Sequence, residues 1–79
     1  MITSEQIAVL IRQALPDAVV ETEDRTGTHD HYNVRVRSAS FAGKPLLDQH
    51  RMIYDALGEA LKDGRLHAIE LRTEVEEAS

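Results

Sequence analysis

The chain has 79 residues, which is enough for one small domain and too few for two. Its 14 acidic and 9 basic residues give a net charge of −5, whereas nucleic-acid-binding proteins usually carry a basic surplus. It contains no cysteine, which excludes disulfides, a thiol nucleophile and any zinc or iron–sulfur site built from thiolates of this chain alone.

The N-terminal segment predicts an amphipathic helix over residues 3–15. Thr3 and Gln6 have the T-x-x-Q spacing of a capping box, in which each side chain satisfies a backbone amide of the first turn. Pro16 ends the helix, because the residue before a proline is disfavoured in the helical conformation. The apolar residues between these points recur at helical spacing and give the helix one apolar face: Ile7, Leu10, Ile11, Ala14 and Leu15.

Two short segments joined by a polar loop predict a β-hairpin. Residues 18–24 are rich in β-branched side chains and predict a first strand. The loop that follows has Gly27 at its centre. Residues 31–38 alternate as a half-buried strand does, with Tyr32, Val34 and Val36 on one face and Asn33, Arg35 and Arg37 on the other.

The second half of the chain predicts a long helix and a final strand. The helix is expected over residues 45–62, because Pro45 suits its first turn and Gly64 suits the position after its end. Residues 65–73 alternate again and predict a third strand, and the acidic residues 74–79 predict a frayed tail. The apolar face of the helix is expected to comprise Leu46, His50, Ile53, Leu57, Ala60 and Leu61.

These elements stand in the order α-β-β-α-β and predict an α+β fold, with a single domain over residues 1–79. The two hairpin strands pair antiparallel, and the third strand, which is reached across a helix, can lie parallel to one of them. We therefore expect a mixed three-stranded sheet with both helices packed on one face.

Histidine is the residue type here that best suits site chemistry, because a neutral imidazole binds borderline metals and its charge changes at roughly pH 6–7. The chain has four histidines. His50, on the apolar face of the second helix, and His67, in phase with the apolar residues of the last strand, have the pattern of packed structural residues. His29 and His31, in or beside the polar loop, have the pattern of solvated residues.

The sequence offers little that suits catalysis. It has no H-E-x-x-H motif, no H-x-E with C-x-x-C, and no glycine-rich phosphate loop. A Ser/His/Asp site could be assembled from Ser38, His50 and Asp48, but the chain offers no oxyanion loop and little room for a substrate cleft. We therefore expect a protein that is not an enzyme and has no small-molecule substrate.

Four short motifs, in order and at compatible spacings, change this interpretation. They are the loop "GTHDHY" before the second strand, the turn "FAGK", the helix "QHRMIYDAL" and the final strand "LHAIELRT". Together they resemble the BolA family, and the resemblance covers almost the whole chain. It implies a fold similar to the type II KH domain, in agreement with the predicted order of elements.

The resemblance also implies a partner and a cofactor. BolA-like proteins pair with monothiol glutaredoxins and share a 2Fe–2S cluster with them, for which the glutaredoxin side supplies a cysteine and a glutathione thiolate. The BolA side supplies a histidine at the start of the last strand, here His67, and a second ligand from the loop between the first two strands. Thr28 stands where some relatives have a cysteine, so the loop ligand is expected to be His29 or His31, or to be missing. We favour His29, because it is nearer the loop apex.

The same resemblance implies an alternative function, because some bacterial BolA-like proteins are described as DNA-binding transcriptional regulators of stress response and cell shape. The corresponding phosphate contacts in this chain are expected to be Lys44, Arg51, Arg35 and Arg37. The net charge favours the interpretation that these are solvated surface charges, and "FAGK" has one glycine where a KH domain has a G-x-x-G clamp. A third alternative is an interaction module that binds the same partner without metal.

Targeting features are not expected in this chain. No apolar run approaches the ~20 residues of a membrane span, and the start "MITSEQIAVL" lacks the basic and apolar regions of a secretory signal. A fold without disulfides must hold by packing alone, which suits a reducing cytoplasm. We therefore expect a cytoplasmic protein with no membrane partner.

Overall fold

The computed structural model describes residues 2–24, 31–66 and 68–76. Its elements follow the predicted α-β-β-α-β order, except that the second helical segment is divided in two. In the described ranges, none of the helices has the length and apolar character needed to span a membrane. The elements are α1 (Ser4–Ala14), β1 (Val19–Asp24), β2 (His31–Ser38), a short 3-10 turn (Ala39–Phe41), α2 (Leu46–Ala56), α3 (Gly58–Lys62) and β3 (Ala68–Val75).

The three strands form one mixed sheet in the order β1-β2-β3. β1 pairs antiparallel with β2, from Val19 opposite Arg37 to Asp24 opposite Tyr32. β3 pairs parallel with β2, a connection that requires a crossover through the helices α2 and α3. The predicted α+β fold with a mixed three-stranded sheet is therefore confirmed.

The helices cover one face of the sheet and leave the other face open. Tyr32, Val34 and Val36 alternate inward from β2 and are buried together with apolar residues of α1, α2 and α3. The Tyr32 hydroxyl donates a hydrogen bond to the Ile2 carbonyl oxygen at 2.7 Å, so the start of the chain is held against the core. The open face carries mostly charged and polar side chains, among them Asn33, Arg35 and Arg37 of β2, because side chains alternate along a strand.

The first helix begins as the sequence predicts. The Gln6 amide donates to Thr3 Oγ1 at 3.1 Å and the Thr3 amide donates to Gln6 Oε1 at 2.9 Å, which completes the capping box. The helix ends at Ala14, with Leu15 as its C-terminal cap and Pro16 immediately after it. Ile7 and Ile11, one helical turn apart, are fully buried in the core.

The second helical segment differs from the single helix predicted over residues 45–62. It is divided at Leu57, which has φ −96° and ψ 5°, and the next residue is Gly58, which has a low helix propensity. Leu46 was expected on the buried face but is 61% exposed. Gln49 occupies the inward position instead, because its amide group hydrogen-bonds to the Lys44 carbonyl oxygen and to Thr73.

The third strand also differs from the prediction, which ended it at residue 73 and assigned residues 74–79 to an acidic tail. β3 ends at Val75, which pairs with Ser38 at the end of β2. The Glu76 amide then donates to the Ser38 carbonyl oxygen at 3.1 Å. The strand continues because the eight residues of β2 offer backbone partners to this point, and because the acidic side chains meet arginines across the sheet.

Candidate functional site

The starts of two neighbouring strands define the candidate site. His31, the first residue of β2, is the register partner of Ala68, the first residue of β3. Because the two strands are parallel, both begin at the same end of the sheet. The sequence has His29 two residues before β2 and His67 one residue before β3. These two predicted ligands lie outside the described residues, and the strands that follow them start side by side.

His31 is the one predicted ligand that the structure describes. Its neighbour Tyr32 is buried on the helix side of the sheet, so the alternation of β2 directs His31 to the open face, the face that also carries Asn33 and Arg35. The His31 side chain is half-buried there. Ala68 stands beside it in the sheet register.

The described residues contain no group of three or more His, Asp or Glu side chains that could hold a metal ion. The whole chain has no cysteine to add to such a group. A metal centre with three or more ligands would therefore need at least one ligand from residues outside the described ranges or from another molecule.

The open face of the sheet carries two of the predicted phosphate contacts, and both are neutralised by acidic residues. Arg35 Nη2 lies 2.6 Å from Glu74 Oε1 and Arg35 Nε lies 3.0 Å from the same oxygen. The hydrogen bond and the charge of Glu74 raise the pKa of Arg35 above its usual value. Arg37 forms an ion pair with Glu76. Because each arginine is paired with a carboxylate, its electrostatic attraction for a phosphate is reduced.

The four predicted phosphate contacts do not form one surface. Arg35 and Arg37 lie on the open face, whereas Arg51 lies on α2, which packs on the opposite face. Lys44 lies in the turn after the end of β2, remote from the strand starts. The backbone of that turn is ordered by hydrogen bonds from the Lys44 amide to the Phe41 carbonyl oxygen (3.1 Å) and from Gln49 Nε2 to the Lys44 carbonyl oxygen (2.9 Å).

Ser38, which could have joined a Ser/His/Asp site, has a different partner. Its hydroxyl is fully buried and donates to the Asp17 carboxylate at 2.8 Å. The Ala39 amide also donates to Asp17, at 2.9 Å, and the Ser40 amide donates to Ser38 Oγ at 3.0 Å. These hydrogen bonds tie the start of the 3-10 turn to the connection between α1 and β1, which is a structural role.

Glu74 and Glu76 were not among the predicted site residues, because the acidic end of the chain has the pattern of a solvated tail. A signal for their role was present in the sequence. Arg35 and Arg37 are two residues apart on one face of a strand, and Glu74 and Glu76 are also two residues apart. Two such series on adjacent strands can meet as ion pairs, because cross-strand neighbours of opposite charge attract.

Comparison with known proteins gives a consistent result. The family model described as "BolA-like protein" matches residues 10–78. BolA-like protein 2 from Mus musculus is 36% identical, over 91% of this chain and 84% of the relative. The DNA-binding transcriptional regulator BolA from Escherichia coli is 32% identical, over 92% of this chain and 75% of the relative. The solved structure of BolA1 from Arabidopsis thaliana superposes with a TM-score of 0.82 at 26% identity, covering 96% of this chain and 94% of that one.

Proposed function

This chain belongs to the BolA-like protein family, and from this premise we propose that it is a binding partner of a monothiol glutaredoxin and shares a 2Fe–2S cluster with it. His67 and a histidine of the loop before β2, His29 or His31, would be its ligands. The glutaredoxin would supply one cysteine thiolate, and its bound glutathione would supply the second thiolate. The role is that of a cytoplasmic partner protein in iron–sulfur cluster trafficking or iron regulation, rather than an enzyme.

The observation that carries the proposal is the parallel pairing that begins with His31 opposite Ala68. The two chain segments that contain the candidate ligands lead into adjacent strands at the same end of the sheet. Neighbouring strands lie about 4.8 Å apart, so the first residues of β2 and β3, His31 and Ala68, lie side by side. A site that takes two ligands from distant parts of the sequence needs such a juxtaposition.

The donor chemistry of the chain fits a shared cluster better than a cluster of its own. The chain has four histidines and no cysteine, so it can contribute imidazole nitrogen but no thiolate. Two imidazoles on one iron are the ligand set that raises the reduction potential in Rieske centres, where thiolates hold the other iron. In this arrangement the histidines of this chain bind one side of the cluster and the partner supplies the sulfur ligands.

The experiment that tests the proposal is a titration of a cluster-loaded monothiol glutaredoxin with this chain, followed by circular dichroism in the visible range. We expect a new spectrum at a ratio of one to one. His67→Ala should abolish the change, and His29→Ala should weaken it more than His31→Ala. His50→Ala is the matched control, because His50 lies on α2 in the helix layer and should leave the spectrum as in the wild type.

Two outcomes would contradict the cluster proposal. One is a spectrum that does not change on mixing, and the other is a change that persists in full after His67→Ala. Isothermal titration with the cluster-free glutaredoxin separates these cases from an interaction module without metal. In that third alternative, binding would be equally tight with and without the cluster.

A second candidate function is DNA binding, which the name of the Escherichia coli relative supports. The ion pairs of Arg35 and Arg37 on the open face, and the net charge of −5, argue for weak and non-specific binding. A gel-shift titration at two salt concentrations tests this alternative with Lys44→Ala and Arg51→Ala. Tight binding at physiological salt that either substitution reduces would favour the regulator over the glutaredoxin partner.

A further inference from the structure

β3 forms one edge of the sheet, because the strand order is β1-β2-β3. In the described part of the chain, no strand pairs with the outer edge of β3. Ile69 and Leu71, on the helix side of this strand, pack against the core but remain partly exposed to solvent. Val75 is 42% exposed. An edge strand of eight residues with partly exposed apolar side chains is a surface on which another strand can pair.

The backbone direction of this edge follows from one hydrogen bond. The Glu76 amide donates to the Ser38 carbonyl oxygen of β2 at 3.1 Å. Backbone groups of successive residues point to alternate sides of a strand, so the even-numbered residues of β3 face β2. The odd-numbered residues Ile69, Leu71 and Thr73 therefore present their amides and carbonyls to the outer edge.

The side chains on the open face of β3 alternate in charge: Glu70, Arg72 and Glu74. We propose that β3 pairs antiparallel with β3 of a second copy of this chain, with the two-fold axis at Leu71. In this register Glu70 of each copy lies opposite Arg72 of the other, so two ion pairs form by symmetry. The two Leu71 residues form a hydrogen-bonded pair, in which the amide of each donates to the carbonyl oxygen of the other. This pair is possible because the backbone groups of the odd-numbered residues point to the outer edge.

The charges select this register over the neighbouring ones. A two-fold axis at Glu70 would bring two glutamates face to face, and an axis at Arg72 would do the same with two arginines. An axis at Thr73 would pair Arg72 with Glu74 but would put Glu70 opposite Glu76. The register centred on Leu71 is the one of the four that pairs opposite charges without opposing like charges.

The opposite edge of the sheet, β1, does not carry alternating opposite charges that could pair with a second copy. Its open-face residues are Val19, Glu21 and Glu23. An antiparallel pairing of β1 with β1 of a second copy would therefore place acidic residues opposite acidic residues. A pairing of β1 with β3 of another copy would leave one free edge at each end and build an open chain of copies rather than a closed dimer.

The helix side of the same edge adds apolar contact. In the register centred on Leu71, the two Leu71 side chains lie opposite each other, and Ile69 of each copy lies opposite Thr73 of the other. Burial of these partly exposed side chains removes apolar surface from water, which favours association. The dimer would contain a continuous sheet of six strands. It uses the outer edge of β3 and requires no glutaredoxin.

The test is sedimentation equilibrium of the full chain at several concentrations, for the wild type and three variants. Each cross-strand pair is worth roughly 0.2–1 kcal/mol, and a single reversal turns two attractions into two repulsions. Glu70→Arg and Arg72→Glu should therefore each weaken dimerisation about tenfold or more. The double variant Glu70→Arg/Arg72→Glu exchanges the charges and should restore dimerisation. Under the register centred on Thr73, Glu70→Arg alone would instead strengthen dimerisation, because it would place an arginine opposite Glu76.

Cysteine trapping gives a second, independent readout, because the natural chain has no cysteine to interfere. Leu71→Cys places one thiol on the proposed axis, so oxidation should convert the variant to a covalent dimer. Val75→Cys, on the same side of the strand but away from the axis, is the control and should stay largely uncrosslinked. Far-ultraviolet circular dichroism checks that each variant is folded.

Three results would overturn the proposal. They are a wild type that remains monomeric at millimolar concentration, a dimer that is indifferent to both charge reversals, and assembly that continues beyond two copies. The dimerisation assay contains this chain alone, so its outcome does not depend on the outcome of the glutaredoxin titration.

Discussion

The carboxylate of Asp17 lies 2.8 Å from the buried hydroxyl of Ser38, at the point where β2 ends and the 3-10 turn begins. This hydrogen bond, followed by the one from the Ala39 amide, lowers the pKa of Asp17 below its ordinary value of 3.8. The hydrogen bonds favour the charged carboxylate, so they stabilise the fold only while Asp17 is ionised.

The first prediction is a pH dependence of stability that Asp17→Asn removes. A lowered pKa gives a contribution to stability that is present above the unfolded-state pKa and is lost as the pH falls through the folded-state value. The wild type should therefore exceed the variant in stability at pH 6, and the difference should shrink below about pH 4. Chemical denaturation at a series of pH values measures this, with Asp55→Asn as the control. A difference that stays constant down to pH 2 would contradict the explanation.

The second prediction concerns the buried side chain of Gln49. It accepts a hydrogen bond from the Thr73 hydroxyl at 2.7 Å and donates to the Lys44 carbonyl oxygen at 2.9 Å, so it links α2 to β3 and to the preceding turn. Gln49→Ala should lower the free energy of unfolding by about 1–3 kcal/mol, because two partners lose their hydrogen bonds. Arg51→Ala, on the exposed side of the same helix, should change it by less than about 0.5 kcal/mol.

A double-mutant cycle measures how much of the stability loss caused by Gln49→Ala comes from the hydrogen bond with Thr73. Thr73→Val removes the hydroxyl while keeping the shape of the side chain. If the hydrogen bond couples the two residues, the double variant should lose less stability than the sum of the single variants. Strict additivity would mean that Gln49 acts by packing alone.

The third prediction uses the two tyrosines of the chain as a matched pair. The Tyr32 hydroxyl is buried and bonded to the Ile2 carbonyl oxygen, whereas Tyr54 is 42% exposed on α2. Tyr32→Phe should lower the free energy of unfolding by about 1–2 kcal/mol, and Tyr54→Phe should change it little. Thermal unfolding followed by circular dichroism compares the two. An equal effect of both substitutions would show that the hydrogen bond to Ile2 is unimportant.

The fourth prediction is that DNA binding is suppressed by the ion pairs on the open face. Glu74→Gln/Glu76→Gln would release Arg35 and Arg37 for phosphate contacts. Affinity for double-stranded DNA should rise, and the slope of log K against log salt should steepen by up to about 1.8, since each phosphate contact contributes about 0.9. A titration at several salt concentrations measures the slope.

The control for this prediction must change the net charge equally at another place. Glu5→Gln/Glu59→Gln does so on the helices, away from the open face. If this pair of substitutions raises the affinity as much as the first pair, the effect comes from net charge and not from the released arginines.

The sequence predicted those parts of the fold that depend on local patterns. The capping box of Thr3 and Gln6 and the inward alternation of Tyr32, Val34 and Val36 are confirmed, because each depends on residues close in the chain. Whether Leu46 or Gln49 faces inward depends on what α2 meets. The Lys44 carbonyl and Thr73 provide partners that a polar side chain can satisfy and a leucine cannot.

The candidate site was predicted only in part, for a related reason. The pairing of His31 with Ala68 depends on which strand β3 joins and in which direction, and neither is encoded in the residues beside the histidines. The length of β3 likewise depends on its partner strand. Glu74 of β3 pairs with Arg35, and Glu76, just after the strand, is joined to β2 through Arg37 and the Ser38 carbonyl. The ligand roles of His29 and His67 remain predictions.

The sheet joins one pairing that is local in the sequence with one that is distant. Residues 25–30 alone separate β1 from β2, whereas residues 39–67 separate β2 from β3. Contacts between nearby residues generally form earlier in folding than contacts that close a long loop. The hairpin can thus assemble while the C-terminal strand is still detached, for example on the ribosome. The starts of β2 and β3 become neighbours only when that last strand arrives, so the metal site of the proposed function would be completed at the final stage of maturation.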